Sequence, residues 1–119
     1  MGAVAAISIY VTDLDEAANF YDSILGLKVK HRLPYLVVLE GGGPDVVLCQ
    51  AQELAKVNYP DGSAVVLGFA TENLTQDIAR LHAKGARLIH STPQDFPDGK
   101  YIAFSDPSGN VIELLEFQR

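Results

Sequence analysis

The sequence has no tryptophan, one methionine and one cysteine among its 119 residues. A single cysteine, Cys49, excludes an internal disulfide. Its place in the apolar run Val46-Val-Leu-Cys49 reads as a buried, inert thiol rather than a nucleophile. No apolar run approaches the ~20 residues that cross a membrane. No basic stretch precedes the short apolar run near the N-terminus, so no signal peptide is expected. Basic side chains are also scarce: nine Lys and Arg stand against fifteen Asp and Glu, a formal net charge of -6. Without a Lys/Arg stripe that balance argues against a nucleic-acid partner, and against an anionic membrane surface. A cytoplasmic location follows by default. What the chain does have is apolar content, 48% hydrophobic against 20% charged, which is the composition of a chain that folds. Its length suits one domain able to bury roughly two-thirds of its unfolded surface without staples.

The clearest local signal lies near the end, in Phe104-Ser-Asp-Pro-Ser-Gly-Asn-Val-Ile-Glu-Leu-Leu-Glu-Phe117. Two apolar runs flank Asp106-Pro-Ser-Gly-Asn110, and Asp, Pro, Gly and Asn each supply a turn conformation. This predicts two antiparallel strands joined by a five-residue loop. Glu113 falls inside the returning strand with Val111 and Leu115 on its own face. A carboxylate on an apolar strand face needs a partner, a cavity or a metal.

Upstream, Val4–Val11 alternates with a strand period. Asp13-Leu-Asp-Glu16 is a capping-box pattern, and Leu14, Ala17, Ala18, Tyr21, Ile24 and Leu25 recur at helical spacing up to Gly26, a natural stop. Strands are expected at 28–31, 35–40 and 46–50. Residues 53–63 lack a period and read as a linker. The pattern then restarts. A strand over 65–71 leads to a cap at Asn73 and a Leu74, Ile78, Leu81 stripe ending at Gly85. A short strand at 87–90, a polar loop over 91–99, and the final hairpin, 101–105 with 111–117, complete the chain. Asp13 and Asn73 are 60 positions apart, and Gly26 and Gly85 are 59 apart. The reading is an α+β fold of two tandem βαβββ modules, 1–52 and 64–119, around the 53–63 linker.

Two stretches, Ile7-Ser-Ile-Tyr-Val-Thr-Asp-Leu-Asp-Glu-Ala17 with Phe20-Tyr21 and Leu25-Gly-Leu27, and Phe104-Ser-Asp-Pro-Ser-Gly-Asn-Val-Ile-Glu-Leu114, resemble the vicinal oxygen chelate superfamily. That group includes glyoxalase I, bleomycin-resistance proteins, extradiol dioxygenases and fosfomycin-resistance enzymes. The resemblance implies curved sheets, each with one helix on its convex side, whose paired modules enclose a cavity that often holds a divalent metal. The metal-ligand places it marks, on the first and last strands of each module, fall on Ala6, Leu48, Val66 and Glu113. Three of these carry no ligand atom, whereas a divalent site takes three or four protein donors. His82 is expected at the solvent edge of the second helix. His31 and His90 sit at equivalent ends of short strands, positions that suit a structural or rim role. No metal and no cofactor is therefore expected, and the metal-free binders of the bleomycin-resistance type are the nearest match in character.

Since position 6 faces the cavity in the resembled family, strand alternation turns Ser8 and Tyr10 inward too. The same count groups Val46, Leu48 and Gln50, and separately Val66, Gly68 and Ala70. If Ser105 opposes Val111, then Ala103 opposes Glu113 and Tyr101 opposes Leu115; the equivalent step sets Val38 against Leu48. The expected ligand-binding residues are Ser8, Tyr10, Val38, Leu48, Gln50, Val66, Gly68, Tyr101 and Glu113. Gly68 would leave room for a flat ligand, and Phe96 would cover the mouth. Tyr10 and Tyr101 fit core tyrosines as well as ligand contacts, and Gln50 fits a solvated rim. The expected function is metal-independent binding of a small hydrophobic or aromatic molecule, for sequestration or antibiotic resistance. The alternatives are a lyase or isomerase with Glu113 as catalytic base and Tyr10 or Tyr101 as acid, and a metalloenzyme with a displaced set using His31 or His90. Open faces and edge strands need cover; the resembled family supplies it by pairing modules, usually within a symmetric homodimer, so the resemblance implies a C₂ homodimer.

Overall fold

The computed structural model describes residues 2–118, and the chain divides after Ala55 into two units. The first unit runs β1 (Ala6–Val11), α1 (Leu14–Leu25), β2 (Lys28–Leu33), β3 (Leu36–Glu40) and β4 (Asp45–Gln50). Its sheet has the order β1-β4-β3-β2, with β1 parallel to β4 and the other pairs antiparallel. The second unit runs β5 (Leu67–Ala70), α2 (Leu74–Ala83), β6 (Arg87–Leu88), β7 (Gln94–Phe96), β8 (Gly99–Ser105) and β9 (Val111–Phe117). Its order is β5-β9-β8-β6, with β5 parallel to β9 and β7 paired to β8. The α+β class and the repeated βαβββ plan are thus as expected. The second repeat carries one addition: β7 forms inside the stretch expected to be a polar loop.

Each helix starts on the side chain named by its sequence. Asp13 Oδ1 accepts the Glu16 N–H at 2.9 Å, and Asn73 Oδ1 accepts that of Gln76 at 3.0 Å. Such contacts satisfy amides that have no partner within the helix. The second helix has further support, because Glu116 Oε1 accepts the Leu74 N–H at 2.7 Å. Gly26 and Gly85, at φ +73° and +72°, end the helices in the left-handed region that glycine enters without strain.

One face of each sheet is packed under its helix. Ala17, Ala18, Tyr21 and Ile24 of α1 are buried, as are Ile9, Val11, Val37, Leu39, Val46 and Leu48 of the strands beneath. In the second unit, Leu74 and Leu81 of α2 are buried along with Ile102, Phe104, Ile112 and Leu114. The loop of the final hairpin is organised by Asp106, which is itself buried. Its Oδ1 accepts the Ser108 and Asn110 N–H groups, both at 2.9 Å, and its Oδ2 accepts from Asn110 Nδ2 at 2.9 Å. An acceptor with two oxygens is needed for three donors, which is why Asp opens this turn.

The register corrects one expectation. Ser8 pairs with Val47, Tyr10 with Cys49, and Val38 with Val47 rather than with Leu48. Leu48 pairs with Ile9 and Val37 and has no solvent exposure, so it belongs to the helix-covered core. Gln50 pairs with Val11 on that same side, and its amide donates to the carbonyls of Thr12 at 2.8 Å and Ala51 at 3.0 Å. A shift of one residue reverses every side chain on a strand. Cys49 is accordingly half-buried on the open face, with Leu36 as its other register partner, and not deep in the core as expected.

The residues expected to link the modules also have structure. Asn58 and Gly62 form a bridge, and the Gly62 and Ser63 N–H groups donate to Asn58 O and Pro60 O. The Tyr59–Pro60 peptide is cis. This turn belongs to the second unit.

Candidate functional site

The open face of the second sheet carries the residues of interest. Gly68, Ala103 and Glu113 are aligned across β5, β8 and β9, and Tyr101 is aligned with Leu115 one step along. The hairpin register is the one the sequence predicted from Ser105 and Val111. Val66 is half-buried just before β5. The room expected at Gly68 is reduced, because a Cβ there would come within 2.7 Å of Leu115 Cδ1. Leu115 leans over the gap.

Glu113 is engaged by a residue that pattern reasoning placed in the linker. The Tyr59 hydroxyl donates to Glu113 Oε2 at 2.5 Å. Burial, together with the bond to Glu113 and its charge, pushes the Tyr59 phenol well above its ordinary value, so it stays a donor. Tyr101 acts on Tyr59 in the same direction. No strand or helix period announces Tyr59; the signal there is an aromatic beside Pro60-Asp-Gly62.

A row of rings continues from Tyr59. Its ring meets His90 edge-on with centroids 5.6 Å apart, and His90 meets Tyr101 in the same way at 5.6 Å. Phe96 lies 6.2 Å from Tyr101 and 5.5 Å from Phe117. Such edge-to-face pairs are the favoured arrangement of aromatic quadrupoles. Phe96 thus takes part in the wall of the face; it reaches there because Gln94–Phe96 pairs with β8. His90 is fixed by the ladder itself, since its Nδ1 accepts the Ala103 N–H at 3.1 Å. It stands in for a backbone carbonyl at the point where β6 ends.

In the first unit, Ser8, Tyr10, Val38, Val47 and Cys49 share the open face of β1, β3 and β4. Tyr10 is 60% exposed there. His31 is exposed opposite Val38, past an irregularity in β2, and His82 is exposed on α2. By topology the counterpart of Glu113 is Val47, each being aligned with the middle of the first strand of its unit.

The four metal-ligand places marked by the resemblance do not fit a divalent ion. Ala6, Leu48 and Val66 have no donor, and Glu113 has given one oxygen to Tyr59. Among the described residues, no group of three or more His, Cys, Asp or Glu side chains is placed to hold a metal ion. What the face can do chemically is offer one carboxylate oxygen, a phenol and a row of rings beside Gly68 and Leu115, with Ala103 wholly buried beneath them. Among the described residues, no helix is long and apolar enough to cross a membrane.

A Pseudomonas aeruginosa protein, "Uncharacterized protein PA2024", is 31% identical over 124 residues, spanning 91% of this chain and 84% of that protein. Among solved structures, TnmS3, an antibiotic binding protein from Streptomyces sp. CB03234, is 25% identical with a TM-score of 0.77, covering 99% of this chain and 98% of that one. Lactoylglutathione lyase from Agrobacterium tumefaciens is also 25% identical, with a TM-score of 0.72 and coverage of 98% and 94%. The family model of the Glyoxalase/Bleomycin resistance protein/Dioxygenase superfamily matches residues 3–114. With the repeated fold and the terminal Asp-Pro-Ser-Gly-Asn hairpin, that match makes the chain a member of the glyoxalase/bleomycin resistance protein/dioxygenase superfamily.

Proposed function

We propose that this chain binds a small hydrophobic or aromatic molecule without a metal ion, on the open face of β5, β9 and β8. The observation that carries this reading is the Tyr59–Glu113 hydrogen bond at 2.5 Å. The one carboxylate at a family ligand position is committed to a phenol from its own unit. An apolar floor with a few convergent polar groups is the usual make-up of a small-molecule site. The resemblance to an antibiotic binding protein supports sequestration as the purpose. Ser8, Tyr10 and Val38 give the first unit a comparable open face, while Leu48 and Gln50 lie on its other side.

A C₂ homodimer in the cytoplasm completes the reading. The outer strand β1, Ala-Ile-Ser-Ile-Tyr-Val, carries no charge, whereas the outer strand β2 carries Lys28, Lys30, His31 and Arg32. Charge guards an edge against pairing, and an uncharged edge invites it. Sedimentation at micromolar concentration should give twice the chain mass.

Metal analysis and native mass spectrometry of the purified protein test the central reading. It predicts no stoichiometric Fe, Mn, Ni or Zn after dialysis, and a bound organic mass that denaturation releases. Retained stoichiometric metal would overturn it. The likeness to lactoylglutathione lyase favours a second reading, a lyase or isomerase with Glu113 as base. Once the bound compound is known, turnover by the wild type that disappears in Glu113→Gln with binding intact would establish that reading instead.

A further inference from the structure

We propose that the Tyr59–Glu113 pair makes this face selective for a protonated amine carried on a flat aromatic ring. The inference rests on the small-molecule reading above and names its ligand class.

Tyr59 takes Oε2 of Glu113, which fixes the carboxylate and leaves Oε1 to accept from a ligand. Glu113 takes part in no ion pair among the described residues. Among the described residues its side chain has Tyr59 as hydrogen-bond partner, and its neighbours across the ladder are Gly68 and Ala103. A charged acceptor in apolar surroundings gains most from a charged donor. The rings beside it act in the same sense. Tyr59, His90 and Tyr101 meet edge to face at 74° and 84°, so neighbouring rings turn in different directions along the row. A cation within about 6 Å of such a ring face is attracted by its quadrupole. His90 does not oppose this: an Nδ1 that accepts the Ala103 N–H carries no proton. A neutral hydroxyl on the same ligand could use Oε1, but it would lose both the charge on the donor and the attraction of the rings.

The probes are 2-naphthylmethylamine and 2-naphthylmethanol, equal in shape and different in charge at neutral pH. Each is titrated into the ¹⁵N-labelled full chain at low salt, and affinities are read from amide shifts of residues 66–70, 99–105 and 111–117. The wild type should bind the amine about tenfold more tightly than the alcohol, a difference of roughly 1.4 kcal/mol. Glu113→Gln should bring that ratio close to one. Tyr59→Phe should shrink the ratio without erasing it, because the carboxylate remains but is no longer held. Equal wild-type affinities, or an amine preference that survives in Glu113→Gln, would overturn the inference and leave the small-molecule reading standing. If neither probe shifts those amides at millimolar concentration, that reading fails along with it. Equal wild-type affinities overturn the inference even if a variant does not fold.

Discussion

In the first unit Ser8 is aligned with Val47 across the parallel β1–β4 ladder; in the second, Gly68 is aligned with Glu113 across β5–β9. The two ladders follow one plan, with matching helix caps and glycine stops. Yet one places a valine where the other places a carboxylate, and only the second brings in a tyrosine from the preceding turn to meet it. The difference teaches that the duplicated scaffold fixes positions and leaves chemistry to single residues. In the second unit the carboxylate meets a hydrogen-bond donor on the face away from the helix, and Ile102, Phe104, Ile112 and Leu114 still fill the core beneath the helix.

The comparison is broken most strongly through the register of β4. Leu48→Ala empties a fully buried position and should cost about 2–5 kcal/mol, whereas Val47→Ala on the open face should cost about 1 kcal/mol. Denaturant unfolding of both variants checks this, and the reverse order would return Leu48 to the open face. Next, the Asp106 loop has no counterpart of equal hydrogen bonding in the first unit's β3–β4 turn, Gly41-Gly-Gly-Pro44. Asp106→Ala strands three donors in and around a buried turn and should cost about 2–3 kcal/mol.

A smaller effect sharpens the contrast at the site. The Tyr59 phenol is raised above its ordinary value of 10.0 in the fold. In the unfolded chain it ionises near that value, so the stability it contributes is complete below about pH 10 and is lost as pH rises beyond it. Thermal unfolding between pH 9 and 11.5 should therefore fall more steeply for the wild type than for Tyr59→Phe. The smallest effect concerns the caps. Asp13→Ala removes a side-chain acceptor at the start of α1 and should cost about 1 kcal/mol. Asn73→Ala should cost less, because Glu116 still accepts the Leu74 N–H of α2. Equal losses would show that Glu116 contributes nothing there.

Much of this architecture was legible in the sequence. Caps, stops and the Asp106 turn are local: each depends on side chains acting within three or four residues, so composition and spacing expose them. The hairpin of β8 and β9 was legible too, because a tight loop sets the register on both sides. The error at Leu48 came from matching it to Glu113, 65 positions on, whereas the ladders match Val47, 66 positions before Glu113, and one residue reverses the strand face. The structure resolves it through Ile9, a buried residue aligned with Leu48 across the β1–β4 ladder. Strand β7 was missed because Gln94-Asp-Phe96 is three residues long, too short to show a period. Tyr59 was invisible for a different reason. Its partner lies 54 residues away, and nothing in the turn around Pro60 points to a strand in another part of the chain.

The residues before Lys56 and those after it invite different treatment by anyone who would cut or lengthen this protein. A peptide inserted among Gln52, Glu53 and Leu54, all exposed, disturbs no ladder in either unit. The same insertion a few positions later, between Asn58 and Ser63, would pull the phenol off its carboxylate and unmake the bridge beneath it. What looks like a spacer therefore has a free half and a committed half. The length of the first can change without touching a ladder, and that of the second only at the expense of the hairpin it touches.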